Sequence, residues 1–353
     1  MLLPTDPPVA PFTALAVFGA VAVLAALLFW PRRGLVAWGL RYTRRSDRVL
    51  LEDALKQLYH AESAGRPGTT ESLAGGLEVA RGSAVRLVER LAELGLVRAE
   101  EGQFSLTPDG RAHALHLVRA HRLWERYLAD RTGVLPAEWH EQAEKAEHGL
   151  SEAEAEALSA RMNHPRYDPH GDPIPTHAGE LPARAGSPLS AHRPGAALTI
   201  LHLEDEPRES FERLMALGLT PGTPIRLLAV SPTAVRFRLD GREHALPPVV
   251  ADQISVEPLG DGQEIDEAVR MTLAEVRPGA AGRVVRIAAH CQGPARRRLL
   301  DLGIVPGALI EAEYASPGGD PVAYRVRGAL IALRRVQAEL IQVEAHAVVG
   351  AAR

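Results

Sequence analysis

The apolar pattern changes period several times along the chain. Residues 12–30, FTALAVFGAVAVLAALLFW, are nineteen consecutive positions without a charge. At about 1.5 Å per helical residue such a run nearly crosses a ~30 Å hydrocarbon core, so it predicts one transmembrane helix preceded by an external tail at 1–11. A cleaved signal peptide is the competing reading, but the run lacks a basic leading region and exceeds a usual signal core. Arg32, Arg33, Arg41, Arg44, Arg45 and Arg48 follow, whereas only Asp6 precedes. The positive-inside rule then places the N-terminus outside and the rest at the cytoplasmic face of the cytoplasmic membrane, single-pass. Residues 31–48, with Leu35, Val36, Trp38 and Leu40 among the arginines, read as a basic juxtamembrane segment on the anionic leaflet; a DNA-facing basic arm is the weaker reading.

From residue 49 the period becomes helical. Leu51, Ala54, Leu55 and Leu58 lie on one face of a helix that ends near Gly65. Thr69 or Thr70 ahead of Ser72 and Leu73 opens a second helix, a turn follows around Glu78 to Arg81, and a third helix stops at Gly95. LVRAEEGQFSLT then alternates as two short strands, and a long helix resumes from PDGRAHALHLVRAHRLWERYL. Helix, turn, helix and hairpin wing make residues 49–110 a winged-helix DNA-binding domain. Residues 111–176 continue as a helical domain, and 177–188, rich in Pro, Gly and Ala, read as a linker. Beyond it FERLMALGLTPGTPIRL matches RRRLLDLGIVPGALIEA at an offset of 85 residues, with RPG upstream of each. Two copies of one small β-barrel, each with a short helix, are expected at 189–259 and 272–346, with a linker at 260–271 and a tail at 347–353.

Composition narrows this little. The 353 residues are 46% hydrophobic and 24% charged, enough for several cored domains, and the net charge of -4 conceals strong local asymmetry. Cys291 is the single cysteine, so no intramolecular disulfide and no cysteine zinc site can form.

Candidate chemistry concentrates between residues 121 and 148. His121 and Glu125 are one helical turn apart; His140, Glu144, Glu147 and His148 follow at spacings of four, three and one. A lone His/Glu pair is usually a solvated face, but two such clusters in one segment point to a metal site. Imidazole and carboxylate without thiolate suit divalent manganese or ferrous iron, with zinc also within range of the donors. On the third helix Arg81, Ser83, Arg86 and Arg90 occupy the polar side, where they suit phosphate or guanine edges of double-stranded DNA. No nucleophile with a partnered base, phosphate loop or cofactor fingerprint appears, so the protein is not expected to be an enzyme.

Residues 52–175 resemble the diphtheria-toxin-repressor and manganese-transport-regulator family of metal-dependent transcriptional repressors. EDALKQLYHAESAG looks like the family's first helix, HRLWE like its ligand pair, HEQAEKAEH like its last ligand cluster, and HPRYDPHGDPIP like the segment that follows. The resemblance implies a primary metal site of Asp53, Glu144, Glu147 and His148, and an ancillary one of His121, Glu125 and His140. It also implies a homodimer on palindromic operators. Glu144 matches the manganese-type members, whereas Lys56 resembles iron-type ones, so the metal stays open between the two. Val85 stands where many members present a polar residue to DNA. Both barrels resemble the ferrous-iron-transport A domain, a Src-homology-3-like barrel, with Glu206 and Glu209 near the place where such a barrel can add ligands to the ancillary site.

The expected fold class is therefore multidomain α+β: one transmembrane helix, a winged helix-turn-helix, an α-helical metal-binding and dimerisation domain, and two small Src-homology-3-like barrels. Two functions fit. One is a membrane-anchored, manganese- or iron-dependent DNA-binding regulator of metal-ion homeostasis. The other is an inner-leaflet metal-sensing adaptor that controls a ferrous-iron or manganese transporter through its barrels.

Overall fold

The computed structural model describes residues 18–19, 47–100, 102–182, 186–260, 265 and 271–346. Of the stretch expected to cross the membrane, only Phe18 and Gly19 fall among them, both helical, and the rest lies outside the described residues. Among the described residues no helix is long and apolar enough to cross a membrane. The chain divides into two compact units, 1–114 and 115–353.

The first unit holds α1 (Asp47–Ser63), α2 (Thr70–Gly76), α3 (Arg81–Glu93) and the hairpin β1 (Val97–Glu100) and β2 (Gln103–Leu106), then the start of α4 (Pro108–Arg131). Thr69 caps α2 in a reciprocal box: its Oγ1 accepts the Ser72 N–H at 3.1 Å, and Ser72 Oγ accepts the Thr69 N–H at 2.9 Å. Glu78, at φ 52, turns the chain between α2 and α3. Helix α3 buries Ala84, Val88 and Leu91, the i, i+4, i+7 stripe of an amphipathic helix. Leu55 and Leu58 of α1 and Leu73 of α2 are buried as well, each worth about 1.5–3 kcal/mol when removed from water, and the three helices are in mutual contact. Val97 and Leu106 are register partners across the wing and turn the same face inward. At Gly110 a Cβ would lie 2.0 Å from the Leu96 carbonyl, so only glycine lets α4 begin directly beneath the hairpin.

In the second unit α4 continues with α5 (Trp139–Glu147) and α6 (Glu152–Arg161). Leu123, Ala155, Leu158 and Ile174 form one small core, and Leu128, Ala129 and Trp139 another. Two barrels follow. The first contains β3 (Ser187–Pro188), β4 (Ala197–Leu203), α7 (Arg208–Ala216), β5 (Pro224–Val230), β6 (Val235–Leu239), β7 (Arg242–Leu246), α8 (Pro248–Ala251) and β8 (Ile254–Pro258). The second contains β9 (Met271–Thr272), β10 (Ala281–Ile287), α9 (Gly293–Asp301), β11 (Leu309–Ala315), β12 (Val322–Val326), β13 (Ala329–Leu333), α10 (Arg335–Ala338) and β14 (Ile341–His346). Their sheet orders, β3-β8-β4-β5-β6-β7 and β9-β14-β10-β11-β12-β13, are one topology, as the sequence repeat requires. Each has its own core, around Phe237 and Ile200 in the first and Tyr324 and Ile310 in the second.

Candidate metal centre and nucleic-acid interface

Helix α4 points His121 and Glu125 inward from successive turns, 6% and 2% exposed. His121 Nε2 lies 3.1 Å from Glu125 Oε1, and the same oxygen lies 3.5 Å from Nδ1 of His140, on the facing turn of α5. The two rings are 4.8 Å apart. The other ring nitrogen of His121 meets Glu147 Oε2 at 2.5 Å, so one imidazole joins the α4 pair to the end of α5.

Two further groups enter this centre that sequence spacing did not reveal. His170 Nδ1 is 3.6 Å from Glu125 Oε2, and Asp205 Oδ2 is 3.0 Å from His140 Nδ1. His121, Glu125 and His140 thus form one group with donor atoms within 4.8 Å of one another, and Glu125, His170 and Asp205 form a second, sharing Glu125. The carboxylate that comes from the first barrel is Asp205. Glu206 reaches only 3.7 Å from His140 Nε2 and is mostly exposed, and Glu209 belongs to neither group.

The local chain explains how His170 is aimed. Oδ1 of buried Asp168 accepts the N–H groups of His170, Gly171 and Asp172, each at 2.9 Å, winding the loop around one carboxylate. The His170 ring then sits between Trp139 and Phe211, with centroids 5.8 and 5.0 Å away. The barrel is held against the same loop: Leu203 N–H donates to the His170 carbonyl at 2.9 Å, and His202 meets Asp172 at 3.3 Å. Gly171, at φ +97, leaves no room for a Cβ, which would lie 1.9 Å from the Leu201 carbonyl.

The charges in this pocket constrain one another. Burial opposes ionisation of Glu125, but His121, His140 and His170 around it hold its carboxyl well below the usual range. Burial also opposes a charged His140, yet Asp205, Glu125 and Glu144 push its pKa up to about 12. His170, similarly opposed by burial, is raised to about 9 chiefly by Glu125. Burial and the nearby charges of Glu125 and Asp172 raise Asp168 to about 7. His140 Nδ1 is buried without an aligned hydrogen bond although Asp205 is 3.0 Å away. That one orphaned nitrogen, beside carboxylates converging on the same point, is what a cation site would use, and the nitrogen and oxygen set fits manganese or ferrous iron. A cleft bordered by Pro136, Ala137, Glu141 and Arg208 leads from solvent to His140 and Asp205.

Of the other expected ligands, Glu147 is buried and His148 Nε2 lies 3.7 Å from its Oε1. Glu144 is exposed, 3.6 Å from His140 Nε2. Asp53 belongs to the first unit, half-buried on α1.

On α3 the predicted DNA-facing residues lie away from the Ala84, Val88 and Leu91 stripe. Arg81 pairs with Glu71 of α2 at 3.0 Å, Arg86 donates to Ser83 Oγ at 2.9 Å, and Arg90 to Glu93 at 2.7 Å. All are exposed ion pairs or hydrogen bonds of the kind that exchange readily for phosphate or base contacts. Val85 is 38% exposed on the same surface.

Comparison with known proteins places the domains. Residues 107–176 match the family described as iron dependent repressor, metal binding and dimerisation domain, and residues 187–258 and 271–345 each match the FeoA domain. The iron-dependent repressor IdeR of Mycobacterium leprae is 29% identical over 221 residues, covering 58% of this chain and 94% of the relative. A probable metal transport system membrane protein of Chlamydia trachomatis is 46% identical over 85 residues, which are 24% of this chain and only 19% of that protein. Among solved structures, a manganese-dependent transcriptional repressor in complex with manganese is 30% identical with a TM-score of 0.53, covering 58% of this chain and all of the other. ScaR with bound zinc is 27% identical with a TM-score of 0.51, covering 59% and 99%.

Proposed function

Because the chain carries a metal-dependent repressor domain of the diphtheria-toxin-repressor and IdeR type followed by two FeoA domains, we propose that it is a manganese- or iron-dependent DNA-binding regulator of metal-ion homeostasis. The observation that carries this reading is the buried centre at which His121, Glu125, His140, His170 and Asp205 converge from α4, α5, the 164–176 loop and the first barrel. A centre of imidazoles and carboxylates within ligating distance of one another is suited to a divalent cation. The metal would hold the barrel against the helices through Asp205, and a second ion at Glu144, Glu147 and His148 would recruit Asp53 of α1, so that binding selects one arrangement of the winged helix. A homodimer then sets two α3 helices for successive major grooves of double-stranded DNA. In this reading residues 12–30 anchor the regulator in the cytoplasmic membrane with its domains inside.

A second reading is favoured by one observation, the 46% identity to a chlamydial protein named for metal transport. In it the same metal centre serves an adaptor whose FeoA domains control a ferrous-iron or manganese transporter. Arg86→Ala separates the two. Under the first reading this variant binds metal normally but loses operator binding; if operator binding is unaffected by the variant, the regulator reading fails, and the adaptor reading expects metal-dependent control of transport to be untouched.

A further inference from the structure

The modules of the second unit dock in series, each barrel using the same face. The first barrel meets the loop after α6 through β4, where His202 contacts Asp172 at 3.3 Å. The second meets the first through β10, where Arg286 pairs with Asp240. These are equivalent places: His202 is the register partner of Ser255 on β8, and Arg286 of Gln342 on β14. Gln342 Nε2 also donates to Asp240 Oδ2 at 2.6 Å, and Arg242 lies 3.4 Å from Glu275. The His290 ring covers Gly218, where a Cβ would be 2.9 Å from its Nδ1.

Among the described residues, the face so covered on the first barrel is left open on the second. Asp240 and Gly241 make the β6–β7 turn at φ 51 and 77; Arg327 and Gly328 make the β12–β13 turn at φ 49 and 85. Gly303 ends α9 as Gly218 ends α7, but it is covered by the stem of Arg327 itself, whose Cδ would be 3.0 Å from a Cβ there. The adjoining edge strand differs in the same sense. In β7 it carries Arg242, Glu243 and His244, whereas β13 reads Ala329, Leu330, Ile331, Ala332, Leu333, with Leu330 47% exposed and β12 its one partner among the described residues. Natural edges of that length are normally charged or covered. Arg298, Arg334 and Val336 line the cleft beside it, and no carboxylate does.

We propose that this open face, centred on Arg327 and β13, docks an extended segment of another protein that presents a carboxylate to Arg327. The replacement of Asp240 by Arg327 inverts the charge that accepts Arg286, so the face rejects another barrel's β10 and ends the series instead of propagating it. Two copies meeting front to front would oppose Arg327 to Arg327. An acidic strand added to β13 satisfies both the edge and the Arg327 charge, neither of which has a partner among the described residues.

The test is selection of random dodecapeptides displayed on phage against the full chain, with Arg327→Glu and Leu330→Lys in parallel, each first shown to unfold at the wild-type temperature. The expected result is enrichment of peptides with Asp or Glu among alternating apolar residues, bound roughly tenfold or more weakly by both variants. No enrichment, enrichment without carboxylates, or equal binding by Arg327→Glu overturns the proposal. So does a second copy, duplex DNA or an anionic vesicle proving to be what Arg327→Glu loses.

Discussion

Oδ2 of Asp205 and Nδ1 of His140 lie 3.0 Å apart, a carboxylate from the first barrel against an imidazole from α5. The barrel therefore contributes a carboxylate to the candidate metal centre. Asp205→Asn removes a charge from the donor set and is expected to weaken one metal site by at least the roughly 10- to 100-fold typical of even outer-shell partners. Calorimetric titration with manganese checks this, and unchanged affinity and stoichiometry would remove Asp205 from the centre.

Gly171 supports the same arrangement without offering a ligand. A Cβ there would meet the Leu201 carbonyl at 1.9 Å, and φ +97 costs a side chain about 1–3 kcal/mol besides. Gly171→Ala should separate loop from barrel and reduce metal affinity as Asp205→Asn does, although every donor remains. Full affinity in this variant would show that the contact does not position His170.

Protons and metal compete for His140 and His170. Both pKa values stand above the ordinary imidazole value of about 6.5, His170 at about 9 and His140 at about 12, because neighbouring carboxylates outweigh burial. A raised folded-state value means that the metal-free protein gains stability that is complete below about pH 6.5. That contribution is lost as pH rises, through about 9 for His170. Metal affinity runs the other way, rising from pH 6.5 to 9 as His170 gives up its proton. Titrations in buffers of different ionisation enthalpy should show proton release on binding; affinity independent of pH would contradict the charge assignment.

Glu125 holds three imidazoles together. Truncating one member of a buried charged set costs about 3–5 kcal/mol, so Glu125→Ala should lower the stability of the metal-free protein by about that much. The loss should shrink above pH 9, where His170 is neutral. Chemical denaturation at pH 7 and pH 9.5 measures both, and an equal loss at the two would argue against a charged His170.

The sequence made local features legible and left distant ones hidden. Period 3.6 through Ala84, Val88 and Leu91, the Thr69 and Ser72 cap, and the repeat that yields two barrels of one topology all depend on neighbours in the chain. So do His121 and Glu125, one turn apart. Asp205 and His170 reach the centre only because the barrel folds back on the 164–176 loop, 65 residues separating Asp205 from His140. A signal was present for His170, a histidine between the aspartates of DPHGD. Asp205 sits in EDEPRE among three other acids and one proline, and nothing in that run distinguishes it from Glu206.

Metal control of DNA binding is what the proposed regulator must show. Its most direct test is fluorescence anisotropy of the full chain with DNA from upstream of its own gene and of neighbouring transport genes, at fixed salt, titrating manganese or ferrous iron. Glu147→Ala serves as the control, since Glu147 lies 2.5 Å from His121 and 3.7 Å from His148. The expected result is tight, sequence-specific binding that requires metal and is lost in the variant. Metal uptake accompanied only by weak, salt-sensitive and sequence-independent DNA affinity would contradict it.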